Sequence, residues 1–131
     1  MSFLADSSTI FRALTSRRAV RVAGENTLDL ARYEVGNAIL KEVKIFKTLS
    51  PNEAEELARA AGDLLNNMTL LSMGGIASVL EVAAETGLSF YDASYLNAAK
   101  SFRLTLSTED AKLAGAAQRL GIRTSNLDSV E

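Results

Sequence analysis

Short apolar segments alternate along this chain with longer segments in which apolar residues recur at helical spacing. The short segments predict strands at residues 2–5, 68–71, 103–106 and 122–124, with a weaker strand near 27–28. Strands that alternate with helices indicate a parallel sheet covered on both faces. We therefore predict an α/β fold, a three-layer α/β/α arrangement with a short parallel β-sheet flanked by helices.

The helical segments carry local start and stop signals. Ser50-Pro51-Asn52-Glu53 combines a serine N-cap, a proline at the first helical position and a glutamate at the third. Gly87 is placed to end the helix through residues 76–83. The other predicted helices begin within 7–10 or cover 30–46, 91–100 and 111–120. A length of 131 residues is typical of one domain, which we expect to span 1–131.

Composition restricts the available chemistry. The sequence contains no histidine and no cysteine. This excludes ordinary structural zinc sites, Ser-His-Asp triads and catalytic Cys or His nucleophiles. Any catalysis must use carboxylates, lysines, tyrosines, hydroxyls or a hard cation held by oxygen. The net charge of -2 argues against coating nucleic acid by bulk charge, but it allows a local basic patch.

The first residues favour a cytoplasmic protein. The apolar start at residues 1–5 is interrupted at once by Asp6 and has no basic leader, so it does not resemble a signal peptide. No apolar run approaches the length that crosses a bilayer. We expect no membrane association, and the absence of cysteine fits a reducing compartment.

Two aspartates follow predicted strands. Open α/β sheets bind ligands beyond the carboxyl ends of their strands, where the winding direction reverses. Asp6 follows the first strand and Asp110 follows the strand at 103–106, so their carboxylates converge if those strands are neighbours. Each has a commoner explanation as part of a helix cap: Asp6 could cap the next helix, and segments 107–110 and 89–92 both match a serine cap with an acid three residues on.

Glu34 is harder to explain as a surface residue. It lies within a predicted helix, with Ala31 and Ala38 on the same face. Its carboxylate should border the buried stripe and need a partner or a metal there. Asn37, one turn on, is predicted to orient it.

Four segments together resemble a protein family. Residues 4–8, 31–38, 89–96 and 106–110 occur in the order and at the spacings of a PIN domain, and they most resemble the small prokaryotic toxins of the VapC type. Tyr91-Asp92-Ala93 and Thr108-x-Asp110 are the most specific parts. The proline that many members carry shortly before the glutamate is absent from residues 27–30. The resemblance covers essentially the whole chain and implies a PIN-like sheet.

The resemblance also implies a function. Members cut single-stranded RNA endonucleolytically with Mg²⁺ or Mn²⁺ in an acidic pocket, form homodimers and are often inhibited by an antitoxin protein. Asp6, Glu34, Asp92 and Asp110 match the four acidic metal-binding positions, and Thr108 matches the hydroxyl near the fourth. Glu34 would be a ligand or would orient the attacking water. The serious alternative is a catalytically inactive PIN-fold module that binds RNA or another protein.

Other interpretations are weaker. Dehalogenase-type phosphatases need a second aspartate at position 8, where this chain has Ser8, and response-regulator receivers need an acid in residues 68–75, where there is none. Two basic groups could contact RNA or form ordinary solvated faces. These groups are Lys41, Lys44 and Lys47, and Arg12, Arg17, Arg18 and Arg21.

Overall fold

The computed structural model describes residues 2–130; Met1 and Glu131 lie outside the described residues. Within that range it has five parallel strands in the order β3-β2-β1-β4-β5. This confirms the predicted fold class. The strands are β1 Phe3–Ala5, β2 Asn26–Leu28, β3 Thr69–Leu71, β4 Thr105–Ser107 and β5 Thr124–Ser125.

Six α-helices connect and flank the strands in residues 2–130. They are α1 Ser7–Thr15, α2 Leu30–Lys44, α3 Pro51–Asn66, α4 Ile76–Thr86, α5 Phe90–Phe102 and α6 Ala111–Arg119. The basic stretch at 17–21, predicted without a regular element, contains a 3₁₀ turn at Ala19–Arg21. None of these helices is both long and apolar enough to cross a membrane.

The central strand explains why the helices form two layers. Successive side chains of a strand point to opposite faces of the sheet. Phe3 and Ala5 of β1 pack with apolar residues of α1, α2 and α3, whereas Leu4 packs with those of α4, α5 and α6. All three side chains are buried, as expected for a parallel strand covered on both faces.

Local signals set most helix ends. Ser50 and Glu53 form the predicted capping box at the start of α3: the Ser50 Oγ accepts from the Glu53 N–H at 3.2 Å, and a Glu53 carboxylate oxygen accepts from the Ser50 N–H at 3.0 Å. Gly87 ends α4 with a φ of 73°, a left-handed conformation that glycine adopts without a steric penalty.

Two strands begin later than predicted because the preceding helix ends occupy those residues. Arg103 is the C-cap of α5 with a φ of 55°, and the Leu104 N–H donates to the Ala99 carbonyl at 2.9 Å. The strand predicted at 103–106 is therefore Thr105–Ser107. In the same way, Ile122 N–H donates to the Ala117 carbonyl at 2.9 Å, so β5 starts at Thr124.

Candidate active site

The candidate site lies beyond the carboxyl ends of β1 and β4, which are neighbours as the carboxylate argument required. Ala5 pairs with Ser107, so Asp6 and Thr108 leave the sheet side by side. The chain adds β2 and β3 on one side of β1 and places β4 and β5 on the other. A ligand site is expected at such a reversal of winding direction.

Asp6 is deeply buried and extensively hydrogen-bonded. Its residue surface is 4% exposed. One carboxylate oxygen accepts from the Ser8 hydroxyl at 2.6 Å and from the Thr9 N–H at 3.0 Å, and the other accepts from the Thr108 hydroxyl at 2.5 Å. The Thr9 contact is the N-cap of α1, so the capping interpretation is correct for Asp6. Capping leaves lone pairs on the second oxygen, so it does not exclude a ligand role.

Burial sets the charge state of Asp6. Desolvation raises its pKa from 3.8 to about 6, against hydrogen bonds from Ser8, Thr108 and Thr9 that lower it. The negative charge of Glu34 raises the pKa further. A nearby cation would therefore stabilise the charged form of Asp6.

Ser8 and Thr108 form a hydroxyl pair that sequence reasoning only partly found. The Thr108 hydroxyl, besides donating to Asp6, accepts from the Asp110 N–H at 3.1 Å. Ser8 Oγ lies 3.3 Å from Thr108 Oγ1 and accepts from the Glu109 N–H at 2.9 Å. Ser8 thus ties the end of β4 to Asp6. An Asp-x-Ser sequence directly after a strand was the available signal.

Glu34 has a different partner from the one predicted. Asn37 is exposed on α2 and makes no hydrogen bond to Glu34 within the described residues, so the expectation that it orients Glu34 is wrong. The Tyr95 hydroxyl instead donates to Glu34 Oε1 at 2.7 Å. Tyr95 comes from α5, so this contact depends on how two helices distant in sequence pack, which periodicity does not reveal. The prediction that Glu34 borders the buried stripe agrees with its half-buried position beside buried Ala31.

Asp92 and Asp110 are the other two candidate acids, and the charge of Asp110 acts on Asp92. Asp92 lies in the first turn of α5, where its N–H donates to the Ser89 hydroxyl at 3.1 Å, as predicted for a serine cap. Partial burial raises the pKa of Asp92, and the charge of Asp110 raises it further, whereas Lys112 lowers it. The Asp110 carboxylate is therefore close enough to raise the pKa of Asp92.

The cap of α6 differs from the sequence prediction. Asp110 itself is the N-cap and accepts from the N–H groups of Lys112 at 2.9 Å and Leu113 at 3.3 Å. Ser107, predicted as the cap, lies inside β4, and its hydroxyl is 3.2 Å from that of Thr9. The helix therefore begins after Asp110, whose own N–H donates to the Thr108 hydroxyl at 3.1 Å.

The charge of Glu34 acts on Asp6 and the charge of Asp110 acts on Asp92, so we group the four acids into these two pairs. In residues 2–130 no group of three or more acidic side chains is close enough to hold a metal ion together. The donor chemistry nevertheless fits a hard cation, because Mg²⁺ binds oxygen ligands and commonly uses one or two carboxylates, keeping waters and substrate phosphates as its other ligands. Either pair meets that requirement, and burial, the largest cause of the raised pKa of both Asp6 and Asp92, disfavours charged forms that a cation would stabilise.

Of the two basic groups that could contact RNA or form solvated faces, the arginine group is partly paired with acids. Arg12 binds Glu109 at 2.5 Å and Asp128 at 3.0 Å, and Arg18 binds Asp128 at 2.7 Å. Lys47 lies beyond the end of α2 with a φ of 55°. The exposed Lys41 and Lys44 are on the last turn of α2, where they also suit the helix dipole.

A parallel sheet between two helical layers, with Asp6 beyond β1 and Asp110 beyond β4, is the arrangement expected of a PIN-like domain. No protein-family model matches the sequence. A curated protein from Pyrobaculum aerophilum, named Exonuclease VapC9, is 37% identical over 86 residues, which make up 66% of this chain. That alignment spans about three fifths, 62%, of the relative's own length.

A solved structure extends the likeness to nearly the whole chain. The crystal structure of PAE2754 from Pyrobaculum aerophilum matches with a TM-score of 0.83 and 27% identity, covering 98% of this chain and 92% of that one. Together the sequence match and the shared fold confirm the resemblance to VapC-type members of the PIN domain family.

Proposed function

We propose that this protein is an Mg²⁺- or Mn²⁺-dependent endoribonuclease that cleaves single-stranded RNA, and that it is the toxin of a toxin–antitoxin pair. Asp6, Glu34, Asp92 and Asp110 would hold the metal. The observation that supports the proposal is that Asp6 and Thr108 leave the sheet side by side at the winding reversal, with the charge of Glu34 acting on Asp6 and that of Asp110 acting on Asp92. The similarity to a protein named as an exonuclease supports nuclease chemistry.

The chain's own residues would prepare the reaction. A bound divalent cation polarises a phosphodiester and lowers the pKa of a water ligand. Asp92 and Asp110, as one pair, would hold a cation from α5 and the start of α6, and Asp6, paired with Glu34, would hold one at the end of β1. Glu34 would bind it or orient the attacking water, accepting a proton from that water. Thr108 would keep the Asp6 carboxylate in place through their 2.5 Å hydrogen bond.

The residues next to Asp92 support single-stranded RNA as the substrate. Tyr91, next to it, exposes its ring at a mostly apolar cavity of about 380 Å³ that Phe90 and Met73 also line. A second cavity of about 380 Å³, which is polar, contains Thr108 and Asp110. Unpaired bases stack on aromatic side chains, whereas a duplex keeps its bases stacked internally.

A cleavage assay tests the proposal. The purified protein should cut single-stranded RNA with Mg²⁺ or Mn²⁺, and chelation should stop the cutting. Asp6→Asn and Asp92→Asn should abolish cleavage while circular dichroism stays native. Asp63→Asn, which changes an exposed carboxylate of α3, is the matched control and should retain activity. Cutting that survives both site substitutions would contradict the proposed site.

The form of the substrate separates the nuclease types. We expect cleavage of a circular single-stranded RNA, which has no end for an exonuclease. Degradation of the linear RNA alone would instead indicate the exonuclease activity named in the relative. RNA binding without any cleavage would favour the alternative, an inactive PIN-fold module.

We further propose a cytoplasmic homodimer regulated by an antitoxin. The acidic pairs suit an inhibitory segment with a basic side chain, which would replace the metal's charge beside Asp92 and Asp110. If RNA cutting by this protein proceeds unchecked in its native cell, there is no such partner.

A further inference from the structure

Tyr95 is buried within α5, and its hydroxyl is directed at the candidate site. The residue is 1% exposed, and its ring packs in the apolar cluster on the α4–α6 side of the sheet. Its hydroxyl donates to Glu34 Oε1 at 2.7 Å, joining residues 61 positions apart. The side chain thus spans from the core to a carboxylate of the site.

The place of Tyr95 on α5 connects the two acidic pairs. Asp92 lies three residues earlier on the same helix, and side chains with that spacing share a helix face. One rigid helix therefore supplies Asp92 from one pair and the hydroxyl that contacts Glu34 from the other. Burial and the charges of Glu34 and Asp6 raise the pKa of the Tyr95 hydroxyl, whereas a hydrogen bond with the Ser7 side chain lowers it.

The Tyr95 hydroxyl restricts the Glu34 carboxylate through a hydrogen bond. Among the hydrogen bonds of residues 2–130, the structure gives Glu34 one side-chain partner, Tyr95. A glutamate side chain has three rotatable bonds, so without the donor its carboxylate would sample several positions. With Oε1 held, Oε2 accepts no hydrogen bond from residues 2–130, so its lone pairs are available to a cation or a water.

We propose that Tyr95 is a positioning residue that holds the Glu34 carboxylate at a set place relative to Asp6 and Asp92, so that the acids are arranged before a metal binds. This inference rests on the proposed metal-dependent function. Groups that orient a metal ligand through a hydrogen bond typically change metal affinity about 10–100-fold when removed.

Calorimetric titration with Mn²⁺ tests the proposal. Tyr95→Phe removes the hydroxyl and keeps the ring in the core, so we expect Mn²⁺ affinity to fall about tenfold while circular dichroism stays native. Tyr33→Phe is the matched control, because Tyr33 is next to Glu34 in sequence but 72% exposed. The control should bind Mn²⁺ as the parent does.

A double substitution shows whether Tyr95 acts through Glu34. In a Glu34→Gln background, Tyr95→Phe should weaken Mn²⁺ binding no further, because the carboxylate that it positions is gone. A loss of affinity caused by poor folding of Tyr95→Phe would appear in both backgrounds, so the comparison distinguishes it from a positioning effect.

The outcomes are distinct for the two proposals. Parent-like Mn²⁺ affinity in Tyr95→Phe, or equal losses in both backgrounds, would overturn the positioning role and leave the proposed nuclease intact. A parent protein that binds no Mn²⁺ would overturn the metal-dependent function and, with it, the role of Tyr95 toward the metal.

Discussion

Asp6 is a buried acid whose surroundings oppose its charge. Its pKa is raised to about 6, so between about pH 4 and pH 6 the folded protein keeps a proton that the unfolded chain releases. Stability from this group is therefore lost as pH rises through that window. The full penalty remains above pH 6 and amounts to about 3 kcal/mol.

Asp6→Asn removes that penalty. In metal-free protein we expect the variant to gain stability over the parent as pH rises from 4 to 7, measured by urea unfolding at each pH. Asp63→Asn, on the exposed face of α3, should show no such trend. The same stability difference between Asp6→Asn and its parent at pH 4 and pH 7 would contradict a raised pKa.

Two serine caps allow a test at the level of helices. Ser50 caps α3, which carries none of the four candidate metal ligands, whereas Ser89 caps α5 by accepting from the N–H of Asp92. Replacing either serine by alanine should lower the free energy of unfolding by about 1 kcal/mol. Only Ser89→Ala should also weaken Mn²⁺ binding, because fraying of the first turn of α5 displaces Asp92. Equal Mn²⁺ affinities would show that the cap does not position this acid.

At the scale of the molecule, α4 presents an apolar face to solvent. Leu80 is 60% exposed, and Ile76, four residues earlier on the same helix face, is also exposed. We expect light scattering to give the mass of two chains, because a second copy would cover this face. Leu80→Glu should produce monomers, whereas Leu40→Glu, an exposed leucine of α2, should not. A parent mass of one chain at every concentration would refute the homodimer.

Local sequence signals determined the elements of this protein. The alternation of apolar segments with helical periodicity predicted all five strands and six helices to within a few residues. Ser50, Ser89 and Gly87 act within a turn of themselves, so the residues they contact are read directly from the sequence. The sequence also shows that Asp6 follows β1 and that Asp110 comes shortly after β4, and parallel strands end at the same edge of the sheet.

Only the tertiary structure decided how the acids are held. Tyr95 meets Glu34 across 61 positions, Ser8 meets Thr108 across 100, and Arg12 meets Asp128 across 116. Spacing along the chain carries no information about such contacts, because they depend on strand order and on how helices pack. The grouping of the carboxylates into two pairs and the burial that raises the pKa of Asp6 arise in the same way. Both are produced by solvent exclusion and charge proximity in the folded molecule.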